Sequence, residues 1–191
     1  GAANSTVVVT VSVTINPVND NPVATDDGFI TDEDTAVTIP VLVNDSDIDG
    51  DTLTVTQVDG QAIADGGAAV AVTNGSVQLV AGDLVFTPTG DYAGPISFDY
   101  RVADGFGGEA NAVVTGTVTP VNDAPVAGDD TFTTVEDTPV TVVVGTNDSD
   151  VDGDALTITQ VNGLPIVDGW AGVAVANGTV TLVGGDLVFT P

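Results

Sequence analysis

The sequence predicts an all-β protein made of tandem β-sandwich domains with about seven strands each. Three observations carry this expectation: a repeat the size of a domain, β-branched runs that alternate with period two, and an acid content that is almost entirely aspartate. The repeat comes first. Residues 17–88 superpose without a gap on residues 120–191, at an offset of 103, with about two thirds of the positions identical. PVNDNPVATDD returns as PVNDAPVAGDD, NDSDIDGD as NDSDVDGD, and GDLVFTP unchanged. Solenoid coils repeat every ~20–50 residues, so a unit of this size is a whole domain. The expected organisation is the last strand of a preceding repeat in 1–18, a complete repeat in 19–121 and an incomplete repeat in 122–191. The last of these has no equivalent of the segment TGDYAGPISFDYRVADGFGGEANAVVTGTVT. The chain thus reads as part of a longer array, or as one copy whose missing strands another copy supplies. Residues 1–16 have the pattern to replace one such strand, but not the one at 96–103.

The predicted strands are 35–43, 52–58, 68–73, 76–80, 83–87, 96–103 and 110–119, all rich in Val, Thr, Ile or Phe. Ile96, Phe98, Tyr100 and Val102 fall on one face of their run, and Leu84 and Phe86 share a face of another. Asn74-Gly75 and Asn177-Gly178 are the signature of type I′ hairpins, and Ala81-Gly82-Asp83 marks a second tight turn. No segment has a helical period. Seven short strands in about 100 residues, punctuated by Gly, Asn and Asp, indicate an immunoglobulin-like sandwich.

The charge then narrows the function. There are 28 acids against a single base, a net charge of −27, with no His, Cys or Met. A polyanion has no Lys and Arg with which to displace counterions from nucleic acid phosphates, and no basic patch for an anionic leaflet. Without His or Cys there is no ordinary zinc ligand set and no Ser–His or Cys–His nucleophile pair. Disorder is excluded because 42% of residues are hydrophobic. No apolar run reaches the ~20 residues of a membrane span, and no signal peptide is seen. Only Glu33, Glu109 and Glu136 are glutamates. Aspartate favours turns and hard-cation shells, so the acids belong in loops.

The densest loop is NDSDIDGD, with Asp45, Asp47, Asp49 and Asp51 at alternate positions. Two carboxylates ~5 Å apart at an effective dielectric of ~20 repel by about 3 kcal/mol. A solvated loop tolerates this poorly; a calcium shell of hard oxygen ligands removes it. The loop opens like an EF-hand, but Thr56 and Thr159 stand where the bidentate glutamate belongs, and strands flank it. Further acids gather at the junctions: Asn19-Asp20 and Asn122-Asp123, with Asp26-Asp27, Asp104 after the 96–103 strand, and Glu33 and Asp91 at the opposite end.

PVNDNP and PVNDAP, the DSD of NDSDIDGD, the YRVADG loop and Glu33 in TDEDT together resemble the cadherin repeat. They are closer still to the cadherin-like tandem repeats of giant, type I-secreted, biofilm-type bacterial surface adhesins. The resemblance covers essentially the whole chain, although the family's D-R-E motif is absent. It implies Ca²⁺ at domain junctions. By that resemblance the first junction uses Asn19, Asp20, Asp45, Asp47 and Asp104. The second uses Asn122, Asp123, Asp148 and Asp150, with Glu33 and Asp91 from the domain before it. The D-x-D pair is read equally as Asp47 and Asp49, or as Asp150 and Asp152, in the shifted register.

The expected function is a calcium-rigidified spacer of an extracellular bacterial adhesin or surface filament, at the cell surface or in secreted matrix. Its expected partners are neighbouring repeats of the same chain, with other copies in a filament or matrix as a further route. A carbohydrate-binding sandwich is the alternative, resting on Trp170, which replaces Gly67 of the first repeat. Catalysis is not expected: the carboxylates recur in each unit, in charged loops, with no mixed polar pocket beside them. Arg101 is expected to pair with a nearby carboxylate.

Overall fold

The structure is a computed structural model and describes residues 1–2 and 8–191. It divides into two compact units, Gly1–Pro120 and Val121–Pro191.

In the first unit the strands are β1 (Asp27–Asp32), β2 (Val37–Ile39), β3 (Thr54–Val58), β4 (Gln61–Ala62), β5 (Val70–Val72), β6 (Gly75–Val80), β7 (Asp83–Pro88), β8 (Gly94–Ala103) and β9 (Glu109–Thr119). They form two sheets, ordered β1-β9-β8-β3-β4 and β2-β7-β6-β5. The inward positions of β8 are those the alternation predicts: Ile96, Phe98, Tyr100 and Val102 are all buried. Leu84 and Phe86 meet them from the other sheet. Three rings bridge the layers, with Phe29 to Phe86 at 5.2 Å and Phe86 to Phe98 at 6.1 Å between centroids. This is the β-sandwich expected from the sequence.

Two strands escaped the sequence reading. β1 has the composition DGFITD, half of it Asp and Gly, which is poor strand material. It forms because it lies parallel to β9, from Asp27 opposite Val114 to Asp32 opposite Thr119. The two-residue β4 completes a small hairpin with β3. The predicted run 35–43 is cut at Pro40, which has no N–H for a ladder. Val41–Val43 turns as a 3₁₀ helix instead, and still buries Val41.

The turns also differ from expectation. Val72 opposes Gly75, so the loop residues are Thr73 and Asn74, of which only Asn74 has positive φ, +59°. That is the pattern of a type II turn; type I′ needs two such residues. The type I′ pattern occurs one hairpin later, at Ala81 (φ +54°) and Gly82 (φ +90°) between Val80 and Asp83. Asp65 accepts the Ala81 N–H at 2.6 Å and braces that turn. Gly75 is needed for another reason. A Cβ there would lie 2.5 Å from the Phe86 ring and 2.6 Å from the Thr87 carbonyl oxygen.

The second unit contains β10 (Val140–Val142), β11 (Gln160–Val161), β12 (Leu164–Pro165), β13 (Val173–Val175), β14 (Gly178–Val183) and β15 (Asp186–Thr190). Its sheet β10-β15-β14-β13 repeats β2-β7-β6-β5. The sequence supplies no counterparts of β8 and β9 here, and residues 130–135, which match β1, are in no strand. Of the predicted closing strand 1–18, residues 3–7 lie outside the described residues; 8–18 are exposed and in no strand.

A Gly75→Ala variant is expected to lose about 1–3 kcal/mol through overpacking. Asn74→Gly, which keeps the positive φ, should stay within about 0.5 kcal/mol of the parent. Urea unfolding of the two variants checks both.

Candidate metal centre

The linker and the acidic loop are zipped together before any cation is considered. Val23 and Ser46 exchange backbone hydrogen bonds at 2.8 and 3.0 Å, and Val126 and Ser149 repeat the bridge. The Asp20 N–H donates to Asp49 Oδ2 at 2.8 Å, matched by Asp123 to Asp152 at 2.7 Å. Within the loop the chain curls around one carboxylate. Asp47 Oδ1 accepts from the N–H groups of Asp49 (2.8 Å) and Asp51 (3.4 Å), and Gly50 takes φ +78° to close the curve. Asp150 does the same for Asp152 (3.0 Å) and Asp154 (3.3 Å). The short side chain of Asp is suited to such local turns.

Asp104 arrives from the end of β8 and is buried. The sequence DGFGG after β8 wraps its carboxylate. Oδ1 accepts from Phe106 (2.7 Å), Gly107 (3.0 Å) and Gly108 (3.0 Å). A Cβ on Gly108 would collide with that carboxylate, and Gly105 and Gly107 have φ of +80° and +110°. Asn19 Nδ2 donates to Asp104 Oδ2 at 2.7 Å, tying the linker to this loop. The Asn19 donor, followed by the backbone N–H groups, holds Asp104 below the usual carboxylate range.

One carboxylate oxygen each from Asp47, Asp51 and Asp104 lies within 4.8 Å of the other two. Asp47 Oδ2 is buried and has no hydrogen-bond partner. Asp51 is held above the usual carboxylate range by loss of hydration, then by the charges of Asp47, Asp49 and Asp104. Oxygens on opposite sides of a calcium ion are about 5 Å apart, from bonds of ~2.4 Å, so this spacing suits one hard divalent cation. Three clustered carboxylates, one of them with an orphaned buried oxygen, are the kind of donor set such an ion satisfies.

The structure thus distributes the sequence-predicted residues among several jobs. Asp47 and Asp104 meet, and Asp51, which the sequence placed in the cluster but not among the carried-over ligands, joins them. Asp49, Asp20 and Asn19 hold the linker. Asp45 faces elsewhere: its Oδ1 accepts from the Thr25 N–H at 2.8 Å and lies 3.2 Å from the Tyr100 hydroxyl. In the second unit Asn122 donates to the Asp123 carbonyl at 2.7 Å, and Asp148 accepts from Gly128 at 2.8 Å as Asp45 does from Thr25. That unit has no residue corresponding to Asp104. Glu33 is buried after β1, its N–H bonded to the Thr119 carbonyl at 2.9 Å; the Asp91 N–H reaches Asp34 Oδ1 at 3.4 Å. Glu33 therefore stands at the far end of β9 from Asp104. Arg101 pairs with Glu109 at 2.9 Å, as expected. Trp170 is 73% exposed.

Tyr100 is a second polar centre, buried beneath the Asp45 loop. Its single hydroxyl proton faces Asp27 Oδ2 at 3.0 Å, the Thr25 carbonyl at 3.1 Å and Asp45. Burial, with the adjoining Asp27, pushes the phenol far above its usual range. Asp27 is raised chiefly by burial, and the Tyr100 hydroxyl pulls it back.

Fold and site together define a tandem immunoglobulin-like β-sandwich protein with an acidic, linker-anchored loop at one end of the first sandwich. The profile of the bacterial Ig domain matches residues 19–117 and 122–191, and the chain belongs to that family. Among solved structures, the titin domains Z1Z2 in complex with telethonin are similar at 13% identity and a TM-score of 0.34, over 90% of this chain and 81% of that one. The N-terminal Ig1-2 module of the Drosophila receptor protein tyrosine phosphatase DLAR is similar at 12% identity and a TM-score of 0.30, over 90% and 84%. A nucleoside hydrolase-related hypothetical protein from Saccharophagus degradans, associated with carbohydrate metabolism, is similar at 16% identity and a TM-score of 0.34. That match covers 54% of this chain and only 26% of the other. No curated protein is similar in sequence at a significant level. No helix among the described residues is long and apolar enough to cross a membrane.

Tyr100→Phe is expected to cost about 1–3 kcal/mol, because two neighbouring carboxylates lose their shared donor. A raised folded-state carboxylate pKa means that stability falls as pH rises through the interval above the ordinary value. The variant moves Asp27 further up, so its deficit is largest at neutral pH and shrinks in mild acid. Urea unfolding at the two pH values checks the sign; a deficit that grows on acidification contradicts it.

Proposed function

We propose that the chain is a spacer segment of an extracellular bacterial surface protein of the adhesin type, stiffened by calcium. The observation that carries this is the convergence of Asp47, Asp51 and Asp104, together with a buried Asp47 oxygen that has no hydrogen-bond partner. Asn19 and Asp20 tie the linker to the same loops. An ion held by the three carboxylates would neutralise their repulsion and fasten the segment 17–20 against the sandwich. Where a linker of this kind follows each repeat, every junction loses its swivel and a string of domains becomes a rod. Family membership and the acid-rich surface support the reading. The role of such a rod is to hold a distal binding domain away from the cell, or to build matrix.

Extracellular modules bind calcium with dissociation constants of ~10⁻⁴ to 10⁻³ M. At about 100 times the dissociation constant, binding adds ~2.7 kcal/mol to the folded state. Calcium is expected to raise the melting temperature of the first unit, and a chelator to reverse the gain. Asp47→Asn and Asp51→Asn should each weaken binding by about tenfold or more in calorimetry, equivalent to ~1.4 kcal/mol. Heat signals and melting curves indifferent to millimolar calcium would remove the metal from the reading. Small-angle scattering tests the mechanical part: a maximum dimension unchanged by chelator counts against the rod.

A further inference from the structure

Three differences between the repeats share one direction. At the repeat offset of 103, Gln61, Ala64 and Gly67 of the first repeat become Leu164, Val167 and Trp170 of the second. Each change puts a larger apolar side chain where a polar or small one stood. Val80 is kept as Val183. In the second unit Leu164 is 53% exposed, Val167 47%, Trp170 73% and Val183 55%. Backbone bonds gather them. The Trp170 N–H donates to the Val167 carbonyl at 3.1 Å, and the Gly169 N–H to the Leu182 carbonyl at 3.2 Å, next to Val183. Asp168 accepts the Gly184 N–H with both oxygens at 3.1 Å. The segment 167–170 is thus fastened against the β14–β15 turn, with Leu164 just before it on β12.

This surface belongs to the intact sandwich. The complete first unit builds the same frame: Gly67 N–H to the Ala64 carbonyl and Gly66 N–H to the Leu79 carbonyl, both 2.9 Å, with Asp65 bracing Ala81. The frame joins β4 to β5, the outer strands of the two sheets, on the far side of β3 from β8 and β9. Gln61, Ala64 and Val80 are exposed there and Gly67 is half-buried. The exposure is therefore a property of the position, and the second repeat changes only the chemistry placed on it. Single apolar residues on a surface are ordinary, but several grouped around a tryptophan mark a contact, and Trp is foremost among the residues that carry binding energy.

Charge selects the occupant. Asp168 lies within the patch, Asp186 opposes Val183 across the β14–β15 hairpin, and the whole chain carries −27. A second copy would bring the same carboxylates against these, which like charge opposes. A sugar needs several directed polar partners, and three of the four grouped side chains are pure hydrocarbon. A partner with apolar residues beside Arg or Lys meets both demands, covering Leu164 and Val167 while its cations face the carboxylates and the indole. We infer that the surface of Leu164, Val167, Trp170 and Val183 is a docking site for a basic, apolar segment of another protein. The inference goes beyond the calcium reading and does not rest on it.

Trp170 is the chain's single tryptophan, so its fluorescence reports the site directly. A short synthetic peptide alternating leucine and arginine, added to the full chain, is expected to shift the emission to shorter wavelength and to saturate. Added salt should weaken it. The Ser–Arg and Leu–Glu counterparts should not produce the shift. The triple variant Leu164→Gln, Val167→Ala and Trp170→Gly restores the residues of the first repeat and leaves the net charge unchanged. It should melt as the parent does and bind the Leu–Arg peptide about tenfold or more weakly in calorimetry. No emission change with that peptide overturns the inference. So does equal affinity in the triple variant, which would mean general attraction to a polyanion. Sedimentation showing a dimer that the triple variant abolishes also overturns it, because the occupant is then a second copy. Trp170-dependent binding of maltoheptaose with no response to the peptide overturns it in favour of a glycan.

Discussion

β9 is hydrogen-bonded along both of its edges, parallel to β1 and antiparallel to β8. Most of the first unit depends on that double ladder. It recruits the Asp- and Gly-rich β1 into the sheet, and it turns the inward residues of β8 onto Phe86 and Leu84. The loop that joins β8 to β9 presents the Asp104 carboxylate. At the far end of β9, the Thr119 carbonyl receives the N–H of Glu33. An unpaired backbone donor or acceptor in a sheet is costly to bury, so a strand with poor propensity still forms once its neighbour supplies the ladder. The second unit is the comparison. Residues 130–135 share the Asp-x-Phe-x-Thr core of β1, yet with no β9 beside them they form no strand.

The acids divide by what their oxygens accept. Asp47, Asp49, Asp65 and Asp104 accept backbone N–H groups and shape turns or hold the linker. Asp27 and Asp45 share a buried tyrosine hydroxyl. Asp47 also has a buried oxygen with no donor, and it stands where Asp51 and Asp104 converge with it, an arrangement that suits a cation. Much of the charge of −27 is therefore structural at close range. The rest lies on the surface, where like charge keeps copies soluble and apart.

Repeat size, strand alternation and the acidic loops were all legible in the sequence, because each is a local pattern of residue types. The period of two in β8 placed four core residues without any structure. The aspartate spacing located the loop but not its division of labour. Asp45 and Asp47 are two residues apart in one loop. One faces Tyr100 and the other Asp104, and only the packing of the loop against β8 and the linker decides which. Asn74-Gly75 marked a turn correctly and its type wrongly. The glycine answers a ring that arrives from a distant strand.

By itself the sequence determined a tandem all-β protein, the size of its repeat and its inward faces. These follow from side-chain size, branching and charge, which act over a few neighbouring positions. The tertiary structure decided that an Asp- and Gly-rich segment becomes β1, that Pro40 ends β2 in a 3₁₀ turn over the core, and that Asp51 replaces Asp45 beside Asp47 and Asp104. Each of these depends on hydrogen bonds and contacts between residues far apart in the chain. Only closing the sandwich, with β9 seated between β1 and β8, brings those residues together.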